Sequence, residues 1–140
     1  MSGTAAGIRV ANRLTELERV SHIVEELGVR HGMPARTVFE ISLALDEVLT
    51  NIITYAYDDR DDHEIAVRLA VADDVLTVEV EDDGRPFNPL DVPTPDVTQP
   101  VEDRPVGGLG VHLVRRVMSG LEYRRERDKN ILVMRKRFGS

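Results

Sequence analysis

The chain has 140 residues, 41% hydrophobic and 31% charged, a one-domain length with ordinary soluble composition that excludes collagen-like, disordered and membrane-spanning classes. With no Cys, no Trp and only three Phe and three Tyr, it cannot build disulfides, thiolate metal sites, a cysteine nucleophile or dense aromatic platforms for single-stranded nucleic acid. The net charge of -7 is uneven: residues 1–114 carry nine Lys/Arg against 22 Asp/Glu, and the rest nine against three, which disfavours broad nucleic-acid binding but leaves a basic edge for a small anion or an acidic protein.

No internal repeat is present, and one domain spanning 1–140 is expected. The short Val/Ile-containing segment around Gly7 to Asn12 reads as an edge strand. Leu14, Leu17, Val20, Val24 and Leu27 recur at spacings of three and four, one apolar stripe of a first helix, which Gly32 and Pro34 punctuate. A second helix is predicted from Ala35 to Tyr57, with Val38, Ile41, Leu45, Val48, Leu49 and Ile52 on its buried face and the acidic run Asp58 to Asp62 at its end. Strict alternation in Ile65, Val67, Leu69, Val71 and then Leu76, Val78, Val80 predicts a hairpin turning at Ala72-Asp73-Asp74. Six of the seven prolines fall between Arg85 and Pro105, a loop of unusual length read as a lid over about 85–106.

Gly107-Gly108-Leu109-Gly110 opens a third helix through Val111, Leu113, Val114, Val117 and Met118, read as closing at Gly120. Strands near Leu121 to Glu126 and Asn130 to Phe138 make a second hairpin. Ile131-Leu132-Val133-Met134 is apolar on both faces, as an interior strand with neighbours on each side requires. The fold class is therefore α+β, a two-layer sandwich with one mixed, mostly antiparallel sheet covered by three helices. No apolar run approaches the roughly 18 residues of a membrane span, and no charged-then-apolar leader stands at the amino terminus, so a cytoplasmic protein is expected.

Three places could hold chemistry. Glu47 and Asn51 lie four apart, hence one turn apart on one helix face, beside Val48 and Ile52; an exposed polar face would show the same spacing. Asp82 ends a strand, with Gly84 two residues on. Its carboxylate could accept a hydrogen bond from an amino-bearing ring and the glycine could let a ligand approach the backbone, although a plain turn uses the same residues. Gly107, Gly108 and Gly110 stand at a helix start, where exposed N–H groups and the helix dipole favour phosphate, but without the strand and acidic residue of the dinucleotide fingerprint. His22, His31, His63 and His112 share no helical pairing that would hold zinc. The Arg115/Arg116 and Arg124/Arg125/Arg127 clusters read as solvated, or as a docking face for a protein.

The order Glu-x-x-x-Asn, Asp-x-Gly, Pro-rich loop, Gly-x-Gly resembles the nucleotide-binding boxes of the gyrase, histidine kinase and mismatch-repair ATPase superfamily, whose Bergerat fold matches this architecture. Leu43-Ala44-Leu45-Asp46-Glu47-Val48-Leu49-Thr50-Asn51-Ile52 and Gly107-Gly108-Leu109-Gly110-Val111-His112-Leu113-Val114 look most like the bacterial anti-sigma factor serine/threonine kinases. The closing segment Asn130 to Lys136 looks like that family's final strand. Pro86 replaces the second glycine of the superfamily's Asp-x-Gly-x-Gly box, and Phe87 after it fits the anti-sigma branch.

By this resemblance the cofactors are ATP/ADP and Mg²⁺. Glu47 would orient the attacking hydroxyl or accept its proton, and Asn51 would hold Mg²⁺ against the phosphates. Asp82 would accept the adenine amino group, Gly84 would clear space beside the ring, and Asn130 would lie near it. Gly107, Gly108 and Gly110 would cradle the phosphates. The resemblance implies a homodimer that phosphorylates a small antagonist of the STAS class and sequesters a sigma factor, with no direct contact to nucleic acid or membrane. The rival readings are a nucleotide-gated binding module without transfer and a non-nucleotide adaptor in which the glycines and carboxylates are structural.

Overall fold

A computed structural model describes residues 4–91 and 108–139. Strand β1 (Thr4–Ala11) leads through a single 3-10 turn at Leu14–Glu16 into helix α1 (Leu17–His31), followed by α2 (Ala35–Tyr55), β2 (Glu64–Ala72), β3 (Val75–Asp82), α3 (Gly108–Val117), β4 (Gly120–Glu126) and β5 (Lys129–Arg137). The sheet order is β1-β2-β3-β5-β4, and all four pairings are antiparallel. The sandwich of one sheet and three helices is the expected fold class, except that among the described residues the sheet is wholly antiparallel where a mixed one was expected, and β1 is the edge strand anticipated near Gly7.

Alternation in the strands decides which face meets the helices. Ile65, Val67, Leu69 and Val71 on β2, Leu76, Val78 and Val80 on β3, and Leu132 and Met134 on β5 are buried. Val20, Val24 and Leu27 of α1, Ile41, Leu45, Val48, Leu49 and Ile52 of α2, and Val111 and Val114 of α3 join them in one core. Burying each such aliphatic side chain contributes about 1.5–3 kcal/mol. On the opposite face Arg68 pairs with Glu79 at 2.7 Å. The interior position read from Ile131–Met134 holds, since β5 lies between β3 and β4 and all four residues are buried.

Both hairpins turn on two residues in the left-handed region, Asp73 and Asp74 (φ 53° and 60°) and Arg127 and Asp128 (φ 52° and 63°), the primed geometry that matches strand twist. Helix α1 ends at Gly32, φ 64°, with the Met33 N–H donating to Gly28 O at 2.9 Å, a left-handed cap that satisfies terminal carbonyls. Side-by-side packing of α1 and α2 requires Gly28, where a Cβ would come within 2.4 Å of Val38 Cγ2.

Some element ends move from their expected positions. Strand β1 starts at Thr4 because it pairs with β2 along its whole length, Thr4 opposite Val71. Helix α2 ends at Tyr55, and α3 ends at Val117 rather than continuing to Gly120. The Ser119 N–H donates to Arg135 O at 2.7 Å, which draws the chain into the sheet, and Gly120 opens β4 opposite Arg135. Of the lid expected over 85–106, residues 92–106 lie outside the described residues, as does Gly107. Among the described residues, no helix is long and apolar enough to cross a membrane.

Candidate functional site

Helix α2 carries Glu47 and Asn51 one turn apart, and neither is an ordinary exposed polar residue. Asn51 is 0% exposed. Its Nδ2 donates to Pro89 O at 3.0 Å, while its Oδ1 has no partner; Glu47 Oε1 is also buried and unpartnered. Burial pushes the Glu47 carboxyl above its ordinary value, and a hydrogen bond with Asn51 partly offsets this. Two orphaned hard oxygens on one helix turn cost free energy unless a cation or donor meets them. Such a donor set fits Mg²⁺, which takes one or two protein oxygens and fills its remaining positions with water and phosphate.

At the end of β3, Asp82 is 2% exposed. Its Oδ1 accepts from the Gly84 N–H and from Asn130 Nδ2, both at 2.9 Å. Burial raises its pKa most, Asn130 and Gly84 draw it back, Asp83 adds to the rise and Arg125 opposes it. Gly84 does not leave open space where its side chain would be. A Cβ there would meet Ala56 O at 2.4 Å and Ala56 Cβ at 2.8 Å. The glycine lets the turn lie against the end of α2, where the Arg85 N–H donates to Ala56 O at 2.8 Å and Arg85 Nε to Tyr55 O at 2.9 Å.

Asn130, 1% exposed, spends its amide on protein. Nδ2 donates to Asp82 Oδ1 and to Arg85 O at 2.8 Å. Its Oδ1 accepts from the Phe87 N–H at 3.0 Å, Tyr123 OH at 2.6 Å and Arg125 Nη1 at 3.2 Å. Asn130 therefore stands behind Asp82 and holds the Asp82–Phe87 turn, with its polar groups committed there rather than to a ring.

The segment from Gly84 to Leu90 is tied to every element that carries a sequence box. Helix α2 reaches it through Ala56 and Asn51, β5 through Asn130, β4 through Arg125, whose Nη1 donates to Gly84 O at 2.8 Å, and α3 through Arg115, whose Nη2 donates to Leu90 O at 2.9 Å. Asn51, the Asp82 turn and the last turn of α3 are thus gathered around one segment, with Glu47 one turn before Asn51 on α2. Gly108 and Gly110 lie in the first turn of α3, at its opposite end, where the N–H groups of a helix start suit a phosphate. Arg115 and Arg125 are exposed, as expected of their clusters, yet each also donates to a backbone carbonyl of this segment. The signal for Arg125 was present in the alternation of β4, which puts it on the inner face opposite Asn130; nothing in the sequence marks Arg115.

Comparisons with known proteins show the family to which this fold belongs. The chain is 27% identical over 111 residues to the serine/threonine-protein kinase BtrW of Bordetella bronchiseptica, covering 79% of this chain and 78% of that one. It is 29% identical over 108 residues to the serine-protein kinase RsbW of Bacillus cereus, covering 74% and 67%. Among solved structures it resembles the histidine kinase domain of a blue-light activated histidine kinase from Erythrobacter litoralis, with TM-score 0.56 at 24% identity over 89% of this chain. A longer form of that kinase gives 0.58 at 25%. The chain spans 60% and 41% of those two proteins. Residues 10–136 match the family described as the histidine kinase-like ATPase domain, and the chain belongs to it.

Proposed function

We propose that this chain is an ATP-dependent serine/threonine protein kinase of the anti-sigma type, a single nucleotide-binding domain that passes the γ-phosphoryl group to a hydroxyl on a small STAS-class antagonist and sequesters a sigma factor in the cytoplasm. The observation that carries the reading is the pair of buried, unpartnered oxygens on Glu47 and Asn51, one helical turn apart beside the Asp82 turn. The names of BtrW and RsbW as serine kinases support the reaction class.

Phosphoryl transfer asks a protein for alignment and electrostatic stabilisation more than for covalent chemistry. In this reading Asp82 Oδ2 accepts the adenine amino group, its orientation fixed by the two donors on Oδ1. Gly107, Gly108 and Gly110 hold the phosphates at the start of α3, and segment 85–106 covers them. Asn51 holds Mg²⁺ through Oδ1, with Nδ2 anchored on Pro89. When bound, Mg²⁺ neutralises charge that spreads over the phosphate oxygens. Glu47 takes the proton of the incoming hydroxyl, a task that suits a carboxyl whose pKa burial has raised above its ordinary value.

Incubating the chain with labelled ATP, Mg²⁺ and a panel of STAS-class proteins tests the reading. Label on a Ser or Thr of one of them is the expected result. Nucleotide binding without transfer to any of them would reduce the protein to a nucleotide-gated binding module. If ATP leaves the melting temperature unchanged, the adaptor reading is correct.

A further inference from the structure

Two carboxylates beside the Asp82 turn share one imidazole. His63, just before β2, lies with Nε2 2.7 Å from Asp59 Oδ1 and Nδ1 3.2 Å from Asp83 Oδ1. Its ring stacks on Tyr57, with centroids 4.2 Å and planes 15° apart. Its N–H donates to Asn12 Oδ1 and its carbonyl accepts from the Asn12 N–H, both at 3.1 Å. The ring is thereby fixed between the end of β1, the α2–β2 loop and the end of β3.

A neutral imidazole has one N–H donor and one lone pair, so between two carboxylates it satisfies one and turns a lone pair on the other. Only the imidazolium donates to both, and stacking on Tyr57 favours that charged form. The surrounding acids have cations of their own: Asp62 has Arg13 at 3.0 Å, Glu64 has Arg9 at 3.6 Å, Asp58 has Arg85 at 3.7 Å, and Glu81 has Arg68 at 3.5 Å and Lys129 at 3.9 Å. Asp61 contributes its backbone N–H to Asp59, and Asp82 is held by Gly84 and Asn130. Among the described residues, Asp59 and Asp83 are offered no ion pair but His63. The hydrogen bond to Asp59 raises the His63 pKa, burial opposes it, and the charges of Asp59 and Asp83 add to the rise.

We infer that His63, as an imidazolium, is a positioning residue that clamps the Asp82–Gly84 turn to the α2–β2 loop through Asp83 and Asp59, and that deprotonation releases the clamp. The inference deepens the nucleotide reading, on which its effect on affinity rests. Because the folded pKa lies above the ordinary 6.5, the clamp is complete below that value and is lost as pH rises through the folded one.

The test is an NMR titration of the His63 ring and of the Asp83 and Gly84 amides in the full chain, with Mg-ATP affinity measured across the same pH range. The expected ring midpoint is above 6.5, both amides move with it, and affinity falls about three- to tenfold between about pH 6 and 8.5. His63→Gln should flatten that profile at the weak level. His63→Arg, a fixed cation whose fork can reach two carboxylates, should flatten it at the tight level. A midpoint at or below 6.5, amides that ignore the titration, or an unchanged profile in His63→Gln overturns the clamp. If His63→Gln does not fold, Asp83→Asn serves instead, since it must lower the His63 midpoint. If Mg-ATP binds at no pH, the nucleotide reading fails, while the ring and amide titrations still decide the clamp.

Discussion

Asp82 on β3 and Asn130 on β5 are register partners, and the Asn130 amide donates to Asp82 Oδ1 at 2.9 Å. This bond sets which carboxylate oxygen is left for a ligand. Asn130→Ala would remove it and also strand the Phe87 N–H, the Tyr123 hydroxyl and Arg85 O. The expected loss is about 2–4 kcal/mol in urea unfolding, with weaker nucleotide binding. Asn130→Asp keeps the acceptors but sets two carboxylates against each other, so its stability should recover as pH falls and they share a proton. If Asn130→Ala were as stable as the parent chain, the hub would have no energetic role.

Gly84→Ala should cost about 1–3 kcal/mol, the usual cost of overpacking, because the new Cβ meets backbone at Ala56 O, 2.4 Å away, and backbone cannot swing aside as a side chain can. The Arg85 N–H to Ala56 O bond should open with it, so thermal melting and protection of the Arg85 amide from hydrogen exchange should fall together. A melting temperature that stays put would show that the turn is not held against α2 at this point.

Much of the fold was legible because its signals are local. The stripe from Leu14 to Leu27, the alternation through β2 and β3, and the doubly apolar run Ile131–Met134 each announce an element and its buried face, with the correction that Leu14 falls in the 3-10 turn before α1 and is 56% exposed. Element ends set by distant partners were not legible: β1 extends to Thr4 only because Val71 lies opposite, and α3 stops short of Gly120 because Arg135 captures Ser119. The spacing of Glu47 and Asn51 could be read, but their burial could not, since it depends on Pro89, 38 residues further along from Asn51. Gly84 and Asn130 were found as residues, but the protein contacts they make, Gly84 against Ala56 and Asn130 with Asp82, Arg85 and Phe87, join segments far apart in the chain and could not be read from it.

Glu47→Gln separates chemistry from stability. Burial raises the folded pKa of Glu47 above its ordinary 4.5, so the folded state disfavours the charged carboxylate. That penalty is absent below 4.5, grows as pH rises through the folded pKa, and persists above it. The Gln variant should therefore melt higher than the parent at pH 7, with the gap closing below about pH 4.5. Transfer to the acceptor protein should fall about 100- to 10,000-fold with nucleotide affinity retained. Undiminished transfer would remove Glu47 from the reaction.

Asn51 allows the metal to be tested by subtraction. Its Oδ1 is buried without a partner, whereas its Nδ2 is spent on Pro89 O, so the two ends of one amide have separable roles. For the parent chain, chelating Mg²⁺ should weaken ATP binding at least about tenfold, roughly 1.4 kcal/mol. Asn51→Ala should bind ATP at the metal-free level and be indifferent to the chelator. Asn51→Asp keeps an oxygen toward the ion and gives up only the donor to Pro89, so it should retain the response to chelation even if it melts lower. Equal sensitivity of Asn51→Ala and the parent to chelation would mean that the ion is held elsewhere, and the buried oxygen on α2 would then need a different occupant.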